Sequence, residues 1–132
     1  MNYTPVLLFV YNRPSHTQRC VEALLNNSLA SESELFIYSD AAKDVTQQKA
    51  VNEVRKFIHS INGFKHITLI ERTENWGLAR NIIDGVTMQV NRFGRVIVLE
   101  DDLVVAPYFL QFMNDALEIY KDEPQVDRKS VV

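Results

Sequence analysis

The stretch VIVLEDDLVVAPYF, residues 96–109, joins a short apolar run to three consecutive carboxylates and then to a proline. The run Val96–Leu99 has no alternating polar positions, which is typical of a strand that is covered on both faces. Pro107 is a residue favoured in the first turn of a helix. This stretch therefore predicts a buried strand, an acidic turn and a helix in succession.

Three further apolar runs have the same character: Val6–Val10, Leu35–Tyr38 and Ile67–Ile70. Amphipathic helical patterns follow each of the four runs, so the predicted order is βαβαβαβα. Because crossovers between parallel strands are right-handed, this order predicts an α/β fold with a three-layer, doubly wound, mainly parallel sheet.

The helical patterns carry boundary signals of their own. Ser15 with Gln18, and Asp44 with Gln47, predict capping boxes at the starts of the first two helices, and Gly63 predicts the end of the second. The third helix is expected from about Gly77 to Phe93 and the fourth from Pro107. The residues expected to face the core are Ala79, Ile82, Ile83, Val86 and Val90 in the third helix, and Leu110, Met113, Leu117 and Tyr120 in the fourth.

Composition narrows the class of protein. A chain of 132 residues has the length of one domain, and a net charge of −3 without a basic stripe excludes a nucleic-acid partner. No stretch approaches the ~20 apolar residues of a transmembrane segment, and the N-terminus lacks a signal peptide. A cytoplasmic domain is expected, with peripheral membrane attachment through a missing region or partner as the alternative. The single cysteine, Cys20, is expected to be buried.

Polar residues follow every predicted strand. Arg13 follows the first, Asp40 the second, the stretch 71–77 the third and Glu100–Asp102 the fourth. The ligand crevice of a doubly wound sheet lies at the carboxyl ends of its strands. We therefore expect these residues to share one edge of the sheet.

The acidic cluster points to a cation. Three adjacent carboxylates repel one another unless a positive charge neutralises them. Mg²⁺ and Mn²⁺ prefer oxygen ligands and are commonly held by one or two carboxylates together with substrate phosphates. Strand alternation would turn Asp101 away from Glu100 and Asp102. The alternative is an acidic turn that favours the N-terminus of the next helix.

Each remaining candidate binding residue also has an alternative role that is purely structural. Arg13 could bind a nucleotide base or a phosphate through its guanidinium group. The alternative is an ordinary surface residue before a helix. Asp40 accepts hydrogen bonds from a uracil edge, or is an ordinary turn residue. The backbone amides at Gly77, with Arg80 one turn later, could bind a diphosphate. The alternative is an ordinary helix start without a ligand.

The whole chain resembles the first half of a GT-A-fold glycosyltransferase. Residues 96–109 resemble the strand, acidic motif and helix of the N-acetylglucosaminyltransferase I type. The segment NWGLARN, residues 75–81, is similar to the Asn-x-Gly and Arg-Asn pattern of bacterial family-two-like transferases, and residues 5–14 are similar to their first strand.

The resemblance implies roles for the acidic motif. Asp102 is implied to be the ligand of a Mn²⁺ or Mg²⁺ ion that bridges to the nucleotide diphosphate. Asp101 is implied to contact ribose or the donor sugar, with Glu100 nearby.

Other matched positions are implied to bind the nucleotide sugar. Arg13 and Asp40 correspond to uracil contacts, and Phe9 and Tyr11 line the same pocket. Arg80 corresponds to a contact with the diphosphate or sugar.

The resemblance also implies that different parts of the complete fold bind the donor and the acceptor. Residues 1–132 would form the nucleotide-sugar-binding part, with the acceptor half and the general base beyond Val132. The substrates implied are a nucleoside-diphosphate sugar, expected to be UDP-linked, and a glycan or glycolipid acceptor, with inversion at the anomeric carbon. The isolated chain is expected to transfer little or no sugar.

Two alternatives stay open. The first is a non-catalytic nucleotide-binding or interaction module of the same fold. The second is a receiver-like signalling domain, which normally places an acidic pair after the first strand and a phosphoacceptor after the third. This sequence has Tyr11–Arg13 and Glu71–Thr73 at those places.

Overall fold

The computed structural model describes residues 2–120 and 130–131. Its strands and helices within those residues, in chain order, are β1 Val6–Val10, α1 Pro14–Leu25, β2 Glu34–Ser39, α2 Gln48–Ile58, β3 His66–Glu71, α3 Leu78–Phe93, β4 Arg95–Glu100, α4 Phe109–Tyr120 and β5 Ser130–Val131. Two 3₁₀ turns, Ser28–Glu32 and Val45–Gln47, precede β2 and α2.

The strands form a parallel sheet in the order β3-β2-β1-β4-β5. In the register of the central strands, Leu8 lies opposite Ile37 on one side and Leu99 on the other. The chain moves outward from β1 to β3 and then returns to the other side of β1. The strand order therefore reverses between β1 and β4, and the α/β fold predicted from the sequence is confirmed.

Alternate residues of the central strands face two different helix layers. Val6, Leu8 and Val10 belong to a core shared with α1, α2 and α4. Leu7 and Phe9 belong to a second core that is covered by α3. Because both faces are covered, β1 is buried along its whole length.

The expectation of two covered faces is wrong for β3. This strand lies at the edge of the sheet, where His66 and Thr68 are exposed and the apolar residues Ile67 and Leu69 are only partly buried. The position of a strand in the sheet depends on tertiary packing, which the apolar run alone does not record.

The helix starts differ from the predicted capping boxes. Pro14 begins α1, Arg13 precedes it without a side-chain cap, and the Gln18 side chain bonds to Glu22 instead. Asp44 caps the 3₁₀ turn, where its carboxylate accepts the Thr46 amide proton, and α2 begins only at Gln48. The second helix ends at Ile58, five residues before Gly63.

The sheet-facing side of α3 is more polar than expected. Its buried residues are Asn81, Gly85 and Gln89, whereas Ala79 is exposed and Ile83 is 67% exposed. Ile82, Val86 and Val90 are partly buried against the core, as expected. Gly85 lies at the closest approach of α3 to the sheet, since a Cβ at this position would lie only 2.9 Å from Cζ of Tyr38. The helix therefore approaches the sheet closely along the 81–85–89 line.

Other details agree with the sequence. Gly94 ends α3 with φ of 85°, Leu110 and Leu117 of α4 are buried, and Cys20 is buried. The Tyr120 side chain lies outside what the structure describes. Among the described helices, none combines the length and the apolar character needed to cross a bilayer.

Candidate active site at the carboxyl ends of the strands

A cavity of about 580 Å³ opens at the carboxyl ends of β1, β2 and β4. It lies where the strand order reverses, which is where ligands bind in doubly wound sheets. Six of the eight predicted site residues line it: Phe9, Tyr11, Arg13, Asp40, Glu100 and Asp101. The same cavity is lined by residues to which the sequence analysis assigned no binding role: Val10, Asn12, Tyr38, Lys43, Asn75, Leu78 and Asn81.

An ion pair joins two of the predicted residues at the carboxyl ends of β1 and β4. Arg13, just before α1, places Nη2 2.6 Å from Oδ1 of Asp101 at the end of β4. The Arg13 side chain is 48% exposed and that of Asp101 is 6% exposed. Arg13 therefore keeps donors on the solvent side while it compensates a buried charge.

Burial alternates along the acidic motif, although β4 ends at Glu100 and the next two residues form a turn. Asp101 is buried, whereas Glu100 and Asp102 are exposed, and the Leu103 amide closes a turn by donating to the Glu100 carbonyl. Asp101 thus differs from its neighbours in burial as expected, but a turn, and not continued strand alternation, produces the difference. Two carboxylates thus point to solvent, while the middle one is fixed by Arg13.

The thiol beneath this motif is not a nucleophile. Cys20 lies 3.8 Å from the Glu100 carbonyl oxygen. Burial, and then the charges of Asp101 and Asp102, raise the pKa of the Cys20 thiol to about 12. It stays protonated at neutral pH, and the thiolate is the reactive form.

Aromatic rings form one wall of the cavity. Phe9 and Tyr38, from neighbouring strands, stack with ring centroids 5.0 Å apart and planes 17° apart. The Tyr38 hydroxyl accepts a hydrogen bond from Nε2 of Gln89 on α3. Tyr11 is fixed separately, because its hydroxyl accepts the Lys43 amide proton at 2.9 Å.

Asp40 lies at the end of β2 and is almost fully buried. Its carboxylate accepts hydrogen bonds from the backbone amides of Ala41, Trp76 and Gly77, each at 2.9 Å, and from Nδ2 of Asn75 at 3.1 Å. Asp40 therefore ties the loop before α3 to the end of β2.

Arg80 and Asp102 are the two predicted residues that do not line the cavity, and Asp102 is exposed in the turn after β4. Arg80 lies against Trp76. Its Cζ atom is 3.9 Å from the centroid of the Trp76 ring, and the Cζ atom of Arg72 is 3.6 Å from the same centroid. Two guanidinium groups at these distances need opposite ring faces, so Trp76 lies between them. Arg72 also donates to Asn81 and Asp84, whereas Arg80 lines a separate groove outside α3. Its contact with a diphosphate or sugar stays a prediction.

The family model described as "Glycosyl transferase family 2" matches residues 6–123, which include every element from β1 to α4. The chain belongs to glycosyl transferase family 2. Comparison with curated proteins gives no match. Family 2 membership implies a nucleotide-sugar donor and an acceptor. The finer resemblance to the N-acetylglucosaminyltransferase I type stays a prediction.

The exposed carboxylates of the acidic motif are the residues that could hold a divalent ion together with a substrate. Within residues 2–120 and 130–131, no three His, Cys, Asp or Glu side chains are grouped closely enough to hold an ion by themselves. Glu100, which lines the cavity at the end of β4, and Asp102, in the turn that follows, are nevertheless exposed. Mg²⁺ often binds to one or two carboxylates plus substrate phosphates, and these residues fit that arrangement.

The effect of Asp101, the buried residue of the acidic motif, on the stability of the fold should depend on pH. Burial raises the pKa of Asp101, the Arg13 guanidinium opposes that rise, and the charge of Asp102 adds to it. A folded-state pKa above the unfolded value means that the ionised carboxylate destabilises the fold. Without divalent ions, Asp101→Asn is therefore expected to melt above the wild type at pH 7.

The gain should disappear as the pH falls through the raised pKa towards the ordinary aspartate value. Differential scanning fluorimetry in EDTA from pH 7 to pH 4 measures the difference. A variant that melts below the wild type at pH 7 would show that the ion pair with Arg13 outweighs the burial of Asp101.

Proposed function

We propose that this family 2 domain binds a nucleoside-diphosphate sugar, UDP-linked, together with Mn²⁺ or Mg²⁺ at the cavity. The supporting observation is the gathering of Arg13, Asp40, Glu100 and Asp101 around one cavity at the switch in strand order. The volume of about 580 Å³ lies within the range of small-molecule sites, roughly 300–1,000 Å³.

The nucleoside is assigned to the part of the cavity between β1 and β2. Phe9 and Tyr11 offer aromatic surface there, and Asp40 forms the wall beneath the loop before α3. Arg13 is half-exposed, and its guanidinium has more donors than Asp101 uses. It can therefore donate to a uracil carbonyl or a phosphate oxygen without giving up its partner.

The diphosphate and donor sugar are assigned to the end of β4. Asp102 would hold the divalent ion, with Glu100 beside it, while Asp101 would meet a ribose or sugar hydroxyl. When bound, the ion neutralises charge on the departing diphosphate. The protein fixes its own part of this site, because the Arg13 ion pair and the turn at Leu103 hold the motif in one conformation.

In the reaction that we propose, an acceptor hydroxyl of a glycan or glycolipid attacks the anomeric carbon. The bond from that carbon to the diphosphate breaks, and the nucleoside diphosphate leaves. No cavity residue is assigned as the base that takes the hydroxyl proton.

Isothermal titration calorimetry tests the donor site. UDP is titrated into the chain in Mn²⁺ and, separately, in EDTA, with ADP as the control for the base. We expect saturable heat with UDP in Mn²⁺ and much weaker binding in EDTA. Absence of metal-dependent heat with UDP and ADP alike, in a folded protein, would overturn the proposed function.

A further inference from the structure

The outer edge of β3 carries backbone groups that bond to no other residue in the described part of the chain. On its inner side β3 pairs with β2, in a parallel register that sets Glu71 beside Ser39. The Arg72 amide donates to the Ser39 carbonyl, which fixes the direction of the backbone groups along the strand. Because successive residues of a strand point these groups to opposite sides, those of Ile67, Leu69 and Glu71 point outward.

The usual devices that protect an exposed edge are missing from β3. Sheet edges are commonly blunted by proline, by a bulge or by inward-pointing charges. The segment 64–72 has no proline, and the register with β2 runs without a bulge from His66 to Glu71. The Glu71 carboxylate is compensated, because His59 and Arg55 pair with it. The outward groups of β3 therefore form an open template for another strand.

An apolar margin lies beside this template. Ile67 and Leu69 pack against the core that includes α2 residues, and both are only partly buried. Ile61 and Phe64, from the segment before β3, pack against the same core and are also partly buried. A strand added to β3 would cover part of this margin, so pairing would bury apolar surface as well as form hydrogen bonds.

We propose that two copies of this chain pair through β3 in antiparallel orientation and so form one continuous sheet across a twofold axis. In an antiparallel pair, the residues that point towards each other exchange both of their backbone hydrogen bonds. When Leu69 lies opposite its equivalent in the second copy, Ile67 lies opposite the second copy's Glu71. All the outward groups of β3 are then bonded, whereas any other register leaves some of them unpaired.

The charges at the two ends of β3 favour a second copy as the partner. Lys65 precedes the strand and is exposed, and Glu71 ends the strand. In the proposed register Lys65 lies diagonal to the second copy's Glu71, within reach of a long side chain, on both sides of the twofold axis. A parallel neighbour in the same register would instead place like charges together. The edge is therefore complementary to itself.

Sedimentation velocity of the full chain over a range of concentrations measures the association. We expect a dimer of micromolar affinity, since a contact between two strands is at the small end of protein interfaces. Leu69→Pro removes the amide proton nearest the twofold axis and keeps the bonds to β2, because proline is tolerated where the amide faces outward from an edge. It should weaken the dimer by about 10-fold or more.

A second variant tests the charges without a change in the backbone. Lys65→Glu should also weaken the dimer, because it brings two carboxylates together across the interface. The matched control is Lys49→Glu, which makes the same change at an exposed position of α2 and should dimerise as the wild type does. Melting curves show that each variant is folded, and Lys65→Glu carries the test if Leu69→Pro does not fold.

A cysteine cross-link tests the register. Leu69→Cys places two thiols opposite each other at a Cα separation of about 5.5 Å, which a disulfide can span. Mild oxidation should therefore link this variant into a covalent dimer. Thr68→Cys is more exposed but should link poorly, because position 68 lies opposite the second copy's Ile70. Cys20 is buried and should not compete.

Two results would overturn the proposed dimer: a wild-type chain that stays monomeric at every concentration, or a dimer that neither Leu69→Pro nor Lys65→Glu weakens. The second result would assign the interface to another surface. Faster linkage of Thr68→Cys than of Leu69→Cys would overturn the register. None of these measurements uses nucleotide, so their outcome is separate from that of the proposed donor site.

Discussion

Asp102→Ala is expected to lower the affinity for UDP in Mn²⁺ by roughly 100-fold or more, since loss of even an outer partner of a metal ligand costs about 10–100-fold. Asp102 is exposed and its charge repels that of Asp101, so its removal should not lower the melting temperature. In EDTA the variant and the wild type should bind UDP equally weakly. Calorimetry in the two buffers measures all four affinities.

Asp115→Ala is the control for loss of one negative charge, and it should bind UDP as the wild type does. Equal UDP affinity of Asp102→Ala and the wild type in Mn²⁺ would contradict the assignment of Asp102 as the metal ligand. That result would favour the alternative of a non-catalytic nucleotide-binding module, which needs no ion at this position.

Gly85→Val should lower the free energy of unfolding by about 3 kcal/mol, the upper part of the range for overpacked cores. A Cβ at this position would lie 2.9 Å from Cζ of Tyr38 and 3.0 Å from Cζ of Phe9. These rings stack on each other, and Tyr38 is also bonded to Gln89, so neither can move without losing a contact. Gly85→Ala should cost less, because alanine gains about 1 kcal/mol in helix propensity.

Urea unfolding measures these differences. Thr87→Val is the matched control, because it puts the same side chain at an exposed position of the same helix. UDP affinity should also fall in Gly85→Val, since Phe9 and Tyr38 line the cavity. Wild-type stability of Gly85→Val would show that α3 does not pack as closely on the sheet as the structure describes.

The strands β1 to β4 could be predicted from the sequence because each contains a continuous apolar run, and β1 has its predicted bounds. The two-residue strand β5 has no such run and was not predicted. The order of the strands is not recorded in such runs, and so the exposed edge at β3 was missed. The buried side of α3 was misplaced for a related reason. Hydrophobic periodicity cannot indicate that a glycine and two amides form the face nearest the sheet.

Convergence of the site could be predicted because parallel strands bring their carboxyl ends to one edge. The rule predicted that Arg13, Asp40 and Asp101 lie together, and all three line the same cavity. It could not give the partners of each side chain. The pairing of Arg13 with Asp101 and the placement of Arg80 on Trp76 depend on side-chain distances that no local pattern encodes.

The most direct test of the central claim is a crystal structure of the chain with UDP and Mn²⁺, using diffraction data that show the anomalous signal of manganese. The account predicts one manganese peak between the Asp102 carboxylate and the diphosphate, with the uridine in the cavity beside Arg13. UDP bound outside this cavity, or manganese at a site without Asp102, would contradict it.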